Sequence, residues 1–445
     1  MIPVVLVILD GLGDRPVPEL GDRTPAEAAR TPVLDALARR GASGVHVPLG
    51  WGRAPASEVA HWDLLGYDGV PFPGRAVLEG LGAGLDVPSG VLVLHAALRT
   101  GVPDGDVVRV SGRPGADDGD DALALLKALA PLAAAHGATL TPLGDRAGRR
   151  GEALMSLHAH ATGAVSDTDP FFADLHPWLR SMATAPRTVA APEPAAVAAA
   201  SDLERLLHDA RAALRDAPVN DRRRADGRPP LDLLVTKWAG VRAPVPPFAE
   251  MAGTAGATVA SGGLYRGLAA LLGLAHADVA PGYAGLEAEM RGRIALAQAR
   301  IAAGAGFVHV HTKATDEAGH TKLPHAKRDA IEQIDAGLAP LLDLCDDAVV
   351  AVTGDHATPS TGAVLHTGDP TPFVIAGGAV RPDAVEGFGE RPARAGDLGV
   401  LAARDVLPLM LSAADRPAFL GHAAGRRRGW GLPEAPEPMP GDGGS

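Results

Sequence analysis

An α/β fold with a mostly parallel sheet flanked by helices, carrying a smaller inserted α+β domain, is what three features of this 445-residue chain predict. Residues 4–9, VVLVIL, form a continuous apolar run, the pattern of a strand buried on both faces of a parallel sheet. Similar runs recur at 307–313 (FVHVHTK), 348–355 (AVVAVTGD) and 372–378 (PFVIAGG), each ending in a polar or glycine loop. Between them, residues 283–303 and 324–343 repeat apolar side chains at helical spacing, so strands and helices alternate through the C-terminal half.

The middle of the chain breaks that alternation. LVLHAAL (92–98), DVVRV (106–110) and EALMSLHAH (152–160) read as strands, whereas 118–136 and 190–215 are helices rich in Ala and Leu. We therefore expect a main domain made of residues 1–85 and 231–424, interrupted by an inserted domain at 86–230. The Pro-, Arg- and Asp-rich stretch 216–230 is expected to be the exit linker, and LDLLVTKW (231–238) the strand that returns to the main sheet. Residues 425–445, rich in Gly, Pro and Arg, are expected to be a disordered tail.

Composition narrows the classes of partner. Hydrophobic residues make up 46% and charged residues 21%, ordinary globular proportions, with a formal charge of −12. A nucleic-acid groove needs clustered Lys and Arg, so nucleic acid is not an expected partner. The one basic run, Arg222-Arg223-Arg224, lies among Asp221 and Asp226 and reads as a solvated loop. The single cysteine, Cys345, excludes an intramolecular disulfide and reads as a small core residue. The apolar stretch from Met1 to Leu9 is too short to span a bilayer and lacks a basic n-region. Neither a membrane span nor a membrane partner is expected, and a cytoplasmic location follows.

Ligands of open α/β sheets collect at the carboxyl ends of the strands. Asp10 ends the first strand. Asp316 and His320 follow the 307–313 run at a spacing of four, one face of a helix. Asp355 and His356 end the 348–354 run, and His366 lies ten residues further on. Taken singly, such an Asp is as readily a helix cap and such a His a satisfied core or surface residue. Taken together, mixed carboxylates and imidazoles suit Mn²⁺, Zn²⁺ or Mg²⁺, and six of them exceed what one ion with an open position requires. Two divalent ions are the economical expectation, a pair able to clamp a phosphoryl group. Ser57, in APASEVAHWDLLGY, precedes a helical pattern whose N-terminus would welcome a phosphate. It is a candidate nucleophile, with helix capping the competing use of its hydroxyl.

LVILDGLGDRP, ELGDRTPAEAARTPVLDALA, SEVAHWDLLGYD, PGRAVLEGLGAGLDV, VSDTDP, KATDEAGH and TGDHATP, in that order, resemble the archaeal-type cofactor-independent phosphoglycerate mutases of the alkaline phosphatase superfamily. The resemblance runs from the N-terminus to about residue 421. It implies an alkaline-phosphatase-like core, a phosphoserine at Ser57, one metal on Asp316, His320 and His366, and the other on Asp10, Ser57, Asp355 and His356. It also implies that the inserted domain supplies substrate contacts, with Asp167 of VSDTDP a proton shuttle and Asp169 beside it, although an Asx turn before Pro170 is an equal reading. Where the family carries Arg and Asn near 92–100, this chain has His95 and Ala97, with an arginine only at Arg99. His158 stands where an Arg precedes VSDTDP, Lys237 and Trp238 replace Arg and Gly of LLRGAG, and Arg266 replaces a Lys. Arg grips a carboxylate or phosphate through a planar fork, so these exchanges are not neutral. The expected substrate is a small phosphorylated acid, 3-phosphoglycerate or a relative including phosphonates, handled by a monomer or small homo-oligomer. A phosphohydrolase of the same build, or a metal-binding homologue without turnover, are the competing expectations.

Overall fold

The computed structural model describes residues 1–169, 175–185, 192–279, 285–419, 427–428 and 439. The tail expected from residue 425 lies outside these apart from 427–428 and 439. The strands in chain order are β1 (Val4–Leu9), β2 (Gly41–His46), β3 (Leu92–Asp104), β4 (Val107–Gly112), β5 (Ala138–Pro142), β6 (Glu152–Leu157), β7 (Leu233–Val241), β8 (Gly256–Ala260), β9 (Ala275–Asp278), β10 (Phe307–Thr312), β11 (Val349–Thr353), β12 (Thr371–Ala376) and β13 (Gly399–Leu401). The chain divides into two compact units, one of Met1–Pro71, Pro246–Ser261 and Gly273–Ser445, the other of Phe72–Val245 and Gly262–Leu272.

The first unit holds an eight-stranded sheet in the order β13-β2-β12-β11-β1-β10-β8-β9. Only β12 runs antiparallel to its neighbours there, so the sheet is mostly parallel as expected. Every residue of β1 is buried, because helices cover both faces and no polar side is needed. Val5, Val7 and Leu9 meet Leu34 and Leu37 of the helix Pro32–Arg40, and Ile331 and Ile334 of the helix Pro324–Gly337. Cys345 joins the same core. Burying a Val, Leu or Ile side chain contributes about 1.5–3 kcal/mol, enough to outweigh the ordering of its backbone. In register, Leu9 faces Thr312 and Ile8 faces Thr353, so β1, β10 and β11 end level with one another. The residues that follow them leave the sheet at one edge.

The second unit is built on β3, which pairs antiparallel with β6 and β7 along its first half and with β4 beyond an irregularity at Thr100/Gly101. Leu92, Leu94, Ala96 and Leu98 point to one face, where the helices Gly119–Ala135 and Pro194–Arg215 cover them. This is the α+β arrangement predicted for the insertion, with two corrections. Residues 233–241 do not return to the main sheet; β7 completes the free edge of β3, which an apolar run alone could not disclose. The compact unit accordingly spans 72–245 together with 262–272, not 86–230. The arginine triplet is also not a solvated loop. It lies in a helix, Pro218–Ala225, whose inner face carries Asn220 and Arg223 at i, i+3. Arg223 is 2% exposed and donates to Asp118 (2.7 Å) and Asp121 (3.1 Å), while Arg222 and Arg224 face outward.

Two buried carboxylates tie the first unit together. The helix Pro32–Arg40 lacks a cap bond from Thr31; instead Asp335, 301 and 302 residues away in sequence, accepts from Leu34 N–H (2.8 Å) and Val33 N–H (3.1 Å). Asp335→Ala should therefore lower stability by about 1–2 kcal/mol, read from the denaturant midpoint. Glu390 accepts from Thr24 Oγ1 (2.5 Å) and Asp14 N–H (3.2 Å), and burial pushes its carboxyl up to about 7. Because the folded state holds this proton more tightly than the unfolded chain, stability should fall as pH rises from about 4.5 to 7. Glu390→Gln should abolish a slope amounting to about 3 kcal/mol across that window, measured by urea titrations at pH 5 and 7.5.

Candidate metal centre

The site is assembled in the first unit from the level ends of β1, β10 and β11. Asp10 directly follows β1, Asp355 and His356 follow β11, and the helix Ala314–His320 follows β10 and presents Asp316 and His320 at i, i+4. Asp10, Asp316, Asp355 and His356 are buried. Ligand atoms of Asp10, Asp355 and His356 lie within 4.8 Å of one another, and so do those of Asp316, His320 and His366. The six residues read from the sequence thus converge as two triads. His320 and His366 point Nε2 at Asp316 Oδ1, at 3.1 and 3.5 Å. His356 Nε2 is 3.2 Å from Asp10 Oδ1. Thr358 links the triads, donating to Asp316 Oδ1 (2.7 Å) with His356 Nδ1 at 3.2 Å. The His356 and His366 rings stack 3.8 Å apart.

Ser57 is the first residue of the helix Ser57–Leu64, whose cap position belongs to Ala56. Its hydroxyl does not cap the helix. It lies 3.1 Å from His356 Nε2 and 3.5 Å from Asp10 Oδ1. A serine at the helix N-terminus thus meets the Asp10 triad.

The electrostatics of the two triads favour cations. Burial would raise Asp10, but hydrogen bonds from His311 (3.0 Å) and His356 hold it well below the usual carboxylate range. Asp316 is likewise lowered: burial would raise it, but the His366 and Thr358 hydrogen bonds and the Lys313 charge together prevail. Asp355, by contrast, is raised by burial and by the neighbouring Asp10 charge. Its Oδ1 accepts from Gly11 N–H at 3.0 Å, while Oδ2 is buried without a hydrogen bond, with imidazole nitrogens of His61 and His356 at 3.6 and 3.7 Å. A buried carboxylate oxygen with no donor is costly unless a cation faces it. His356 is pushed up to about 9, since Asp355 and Asp10 overcome its burial. Burial keeps His320 below its ordinary value, neutral as a metal ligand must be. This donor set fits divalent cations of the Mn²⁺, Zn²⁺ or Mg²⁺ type.

Four side chains were not singled out by sequence. His311 donates to Asp10 Oδ2, and His61 Nδ1 lies 2.7 Å from the Ser57 carbonyl. His309 Nδ1 bonds Thr258 Oγ1 at 3.0 Å, and its ring packs against His61 at 5.0 Å. The alternation of His309 and His311 in FVHVHTK places both on the face of β10 opposite Val308 and Val310, the available signal for a polar patch beneath the site. Lys313 Nζ reaches Asp316 Oδ2 (3.3 Å) and Asp10 Oδ2 (3.9 Å) from a half-exposed position.

The remaining predicted residues lie in the second unit. Lys237 and His95 are register partners on β7 and β3. His95 bonds Glu79 (2.5 Å), and Asp169 is paired with Arg99 (2.9 Å) and His176 (3.1 Å). Asp167 accepts from Trp238 N–H (2.8 Å), and burial raises its carboxyl. One residue, His158, is not brought to this cluster. His158 is exposed on the turn after β6, four positions beyond Leu154, the register partner of His95. Arg266 donates to Gly82 O (3.1 Å), at the end of the helix Arg75–Gly82.

Residues 2–413 match the metalloenzyme superfamily. The curated 2,3-bisphosphoglycerate-independent phosphoglycerate mutase of Thermococcus kodakarensis is 32% identical over 428 residues, 94% of this chain and 98% of the relative. A solved structure from Pyrococcus horikoshii is similar with a TM-score of 0.73 at 30% identity, over 93% of this chain and 97% of that one. The cofactor-independent phosphoglycerate mutase from Thermoplasma acidophilum matches with a TM-score of 0.63 at 29% identity, over 93% and 100%. The order of motifs, the two acid and imidazole triads and these likenesses agree: the chain belongs to the metalloenzyme superfamily and, within it, to the 2,3-bisphosphoglycerate-independent phosphoglycerate mutases.

Proposed function

We propose that this chain is a metal-dependent phosphomutase that interconverts 3-phosphoglycerate and 2-phosphoglycerate through a phosphoserine on Ser57. The observation that carries this reading is the Ser57 hydroxyl, unused as a cap, 3.1 Å from His356 Nε2 and 3.5 Å from Asp10 Oδ1. Asp316, His320 and His366 are assigned to one divalent ion, and Asp10, Ser57, Asp355 and His356 to a second. When bound, such ions lower the pKa of a coordinated hydroxyl and neutralise phosphoryl charge.

Ser57 Oγ attacks phosphorus as the bond to the 3-oxygen of glycerate breaks, and the 2-hydroxyl then takes the phosphoryl group back from Ser57. The start of the helix Ser57–Leu64 turns backbone N–H groups toward the incoming anion. The Lys313 ammonium, already between two carboxylates, is placed to pair with a phosphoryl oxygen. In the second unit we assign Asp167 as the proton carrier, supported by a carboxyl raised through burial, and His95, Asp169 and Lys237 as substrate contacts. His158, away from that cluster, and Arg266, which donates to Gly82 O, have less support. Among the described residues no helix is long and apolar enough to cross a membrane. The substrate class and the single cysteine support a cytoplasmic location.

Metal-loaded protein should convert 3-phosphoglycerate to 2-phosphoglycerate with little release of free phosphate; phosphate as the main product would identify a hydrolase instead. Ser57→Ala should abolish transfer, by about a thousandfold or more, while thermal midpoint and metal content by elemental analysis stay close to wild type. His366→Ala should lose metal occupancy, and a fully loaded variant would show that His366 is not a ligand.

A further inference from the structure

Trp238 adopts φ 58°, a left-handed conformation rarely taken by a bulky side chain. Residues held in such strain persist where the surroundings over-determine them, and they cluster at functional sites. The surroundings here are specific. The turned backbone directs Trp238 N–H to Asp167 Oδ1, and the half-buried indole carries two cations: Arg75 Cζ is 3.9 Å and Lys237 Nζ 4.0 Å from the ring centroid. The His95 ring meets it edge-on at 4.9 Å. Arg75 Nε is held by Glu79 Oε1 at 3.0 Å, and Glu79 Oε2 in turn holds His95. A guanidinium fixed in this way on an aromatic face loses little freedom when it grips an anion.

We propose that Trp238, as a platform for Arg75 and Lys237, determines specificity by organising a carboxylate-binding site in the second unit. The inference rests on the phosphomutase reading, which supplies a substrate whose carboxylate must be recognised. The ring orients both cations and excludes water from their inner side, and the same residue fixes Asp167 through its N–H. An indole at this position also fills the space that a smaller residue would leave to a bulkier acid.

Trp238→Gly isolates the side chain, because glycine tolerates φ 58° and keeps the N–H bond to Asp167. We expect it to raise the KM for 3-phosphoglycerate and the inhibition constant of D-glycerate by about tenfold, with kcat within about threefold of wild type and no large fall in thermal midpoint. Trp238→Phe should fall between, and Arg75→Gln should weaken D-glycerate without altering inhibition by inorganic phosphate. Unchanged KM and inhibition constant in Trp238→Gly, or loss of kcat alone, overturns the proposal. If the wild type makes no 2-phosphoglycerate, the phosphomutase reading fails on its own. Calorimetric titration of D-glycerate into wild type and Trp238→Gly then decides: a tenfold difference supports the carboxylate site, and equal or no binding removes it.

Discussion

Three carboxylates buried at one edge of a parallel sheet are the constraint to which the rest of the first unit responds. Asp10, Asp316 and Asp355 cannot all hold full charge side by side in a low-dielectric setting without compensation. The protein supplies part of it through the Lys313 ammonium and hydrogen bonds from His311, His356, Gly11 and Thr358. One Asp355 oxygen remains without a donor. Divalent cations would complete the balance, and the Ser57 hydroxyl lies beside the Asp10 triad, 3.1 Å from His356 Nε2.

Holding that arrangement requires the loops after β1 and β11 to keep their places. Lys327, fully buried, donates to Gly13 O (2.9 Å), Thr358 O (2.8 Å) and Asp14 Oδ2 (3.0 Å), bridging both loops with one ammonium. Asp14 in turn accepts from Ser360 N–H. Such a pair need not add net stability relative to apolar packing, but removing one partner would strand the other charge. Its contribution is to fix the geometry of the loops that carry Asp10 and His356.

Much of this was legible in the chain itself. Strand ends bearing Asp10 and Asp355-His356, and the i, i+4 pair Asp316 and His320, are local patterns, and level strand ends turn them into neighbours. What escaped depends on partners distant in sequence. The apolar start of β7 fits any sheet, and only β3 decides which. Arg223 looks like its exposed neighbours until the helix period sets it against Asp118 and Asp121. His309 and His311 carry a local signal in their alternation, but their partners Thr258 and Asp10 come from β8 and the end of β1. His158 and Arg266 were placed by family pattern alone, and His158 falls on an exposed turn after β6.

The order in which the polypeptide is made gives the interrupted topology a further meaning. β1 is hydrogen-bonded on both sides by strands that begin at Phe307 and Val349, so the most apolar strand of the first unit leaves the ribosome some three hundred residues before either neighbour exists. During that interval the intervening unit, complete from Phe72 to Leu272, can mature first, while VVLVIL waits as unpaired, sticky chain. A nascent chain of this design must keep its beginning from wrong pairings until its end arrives, and chains that stop short of residue 307 carry a strand for which neither hydrogen-bonded neighbour has been made.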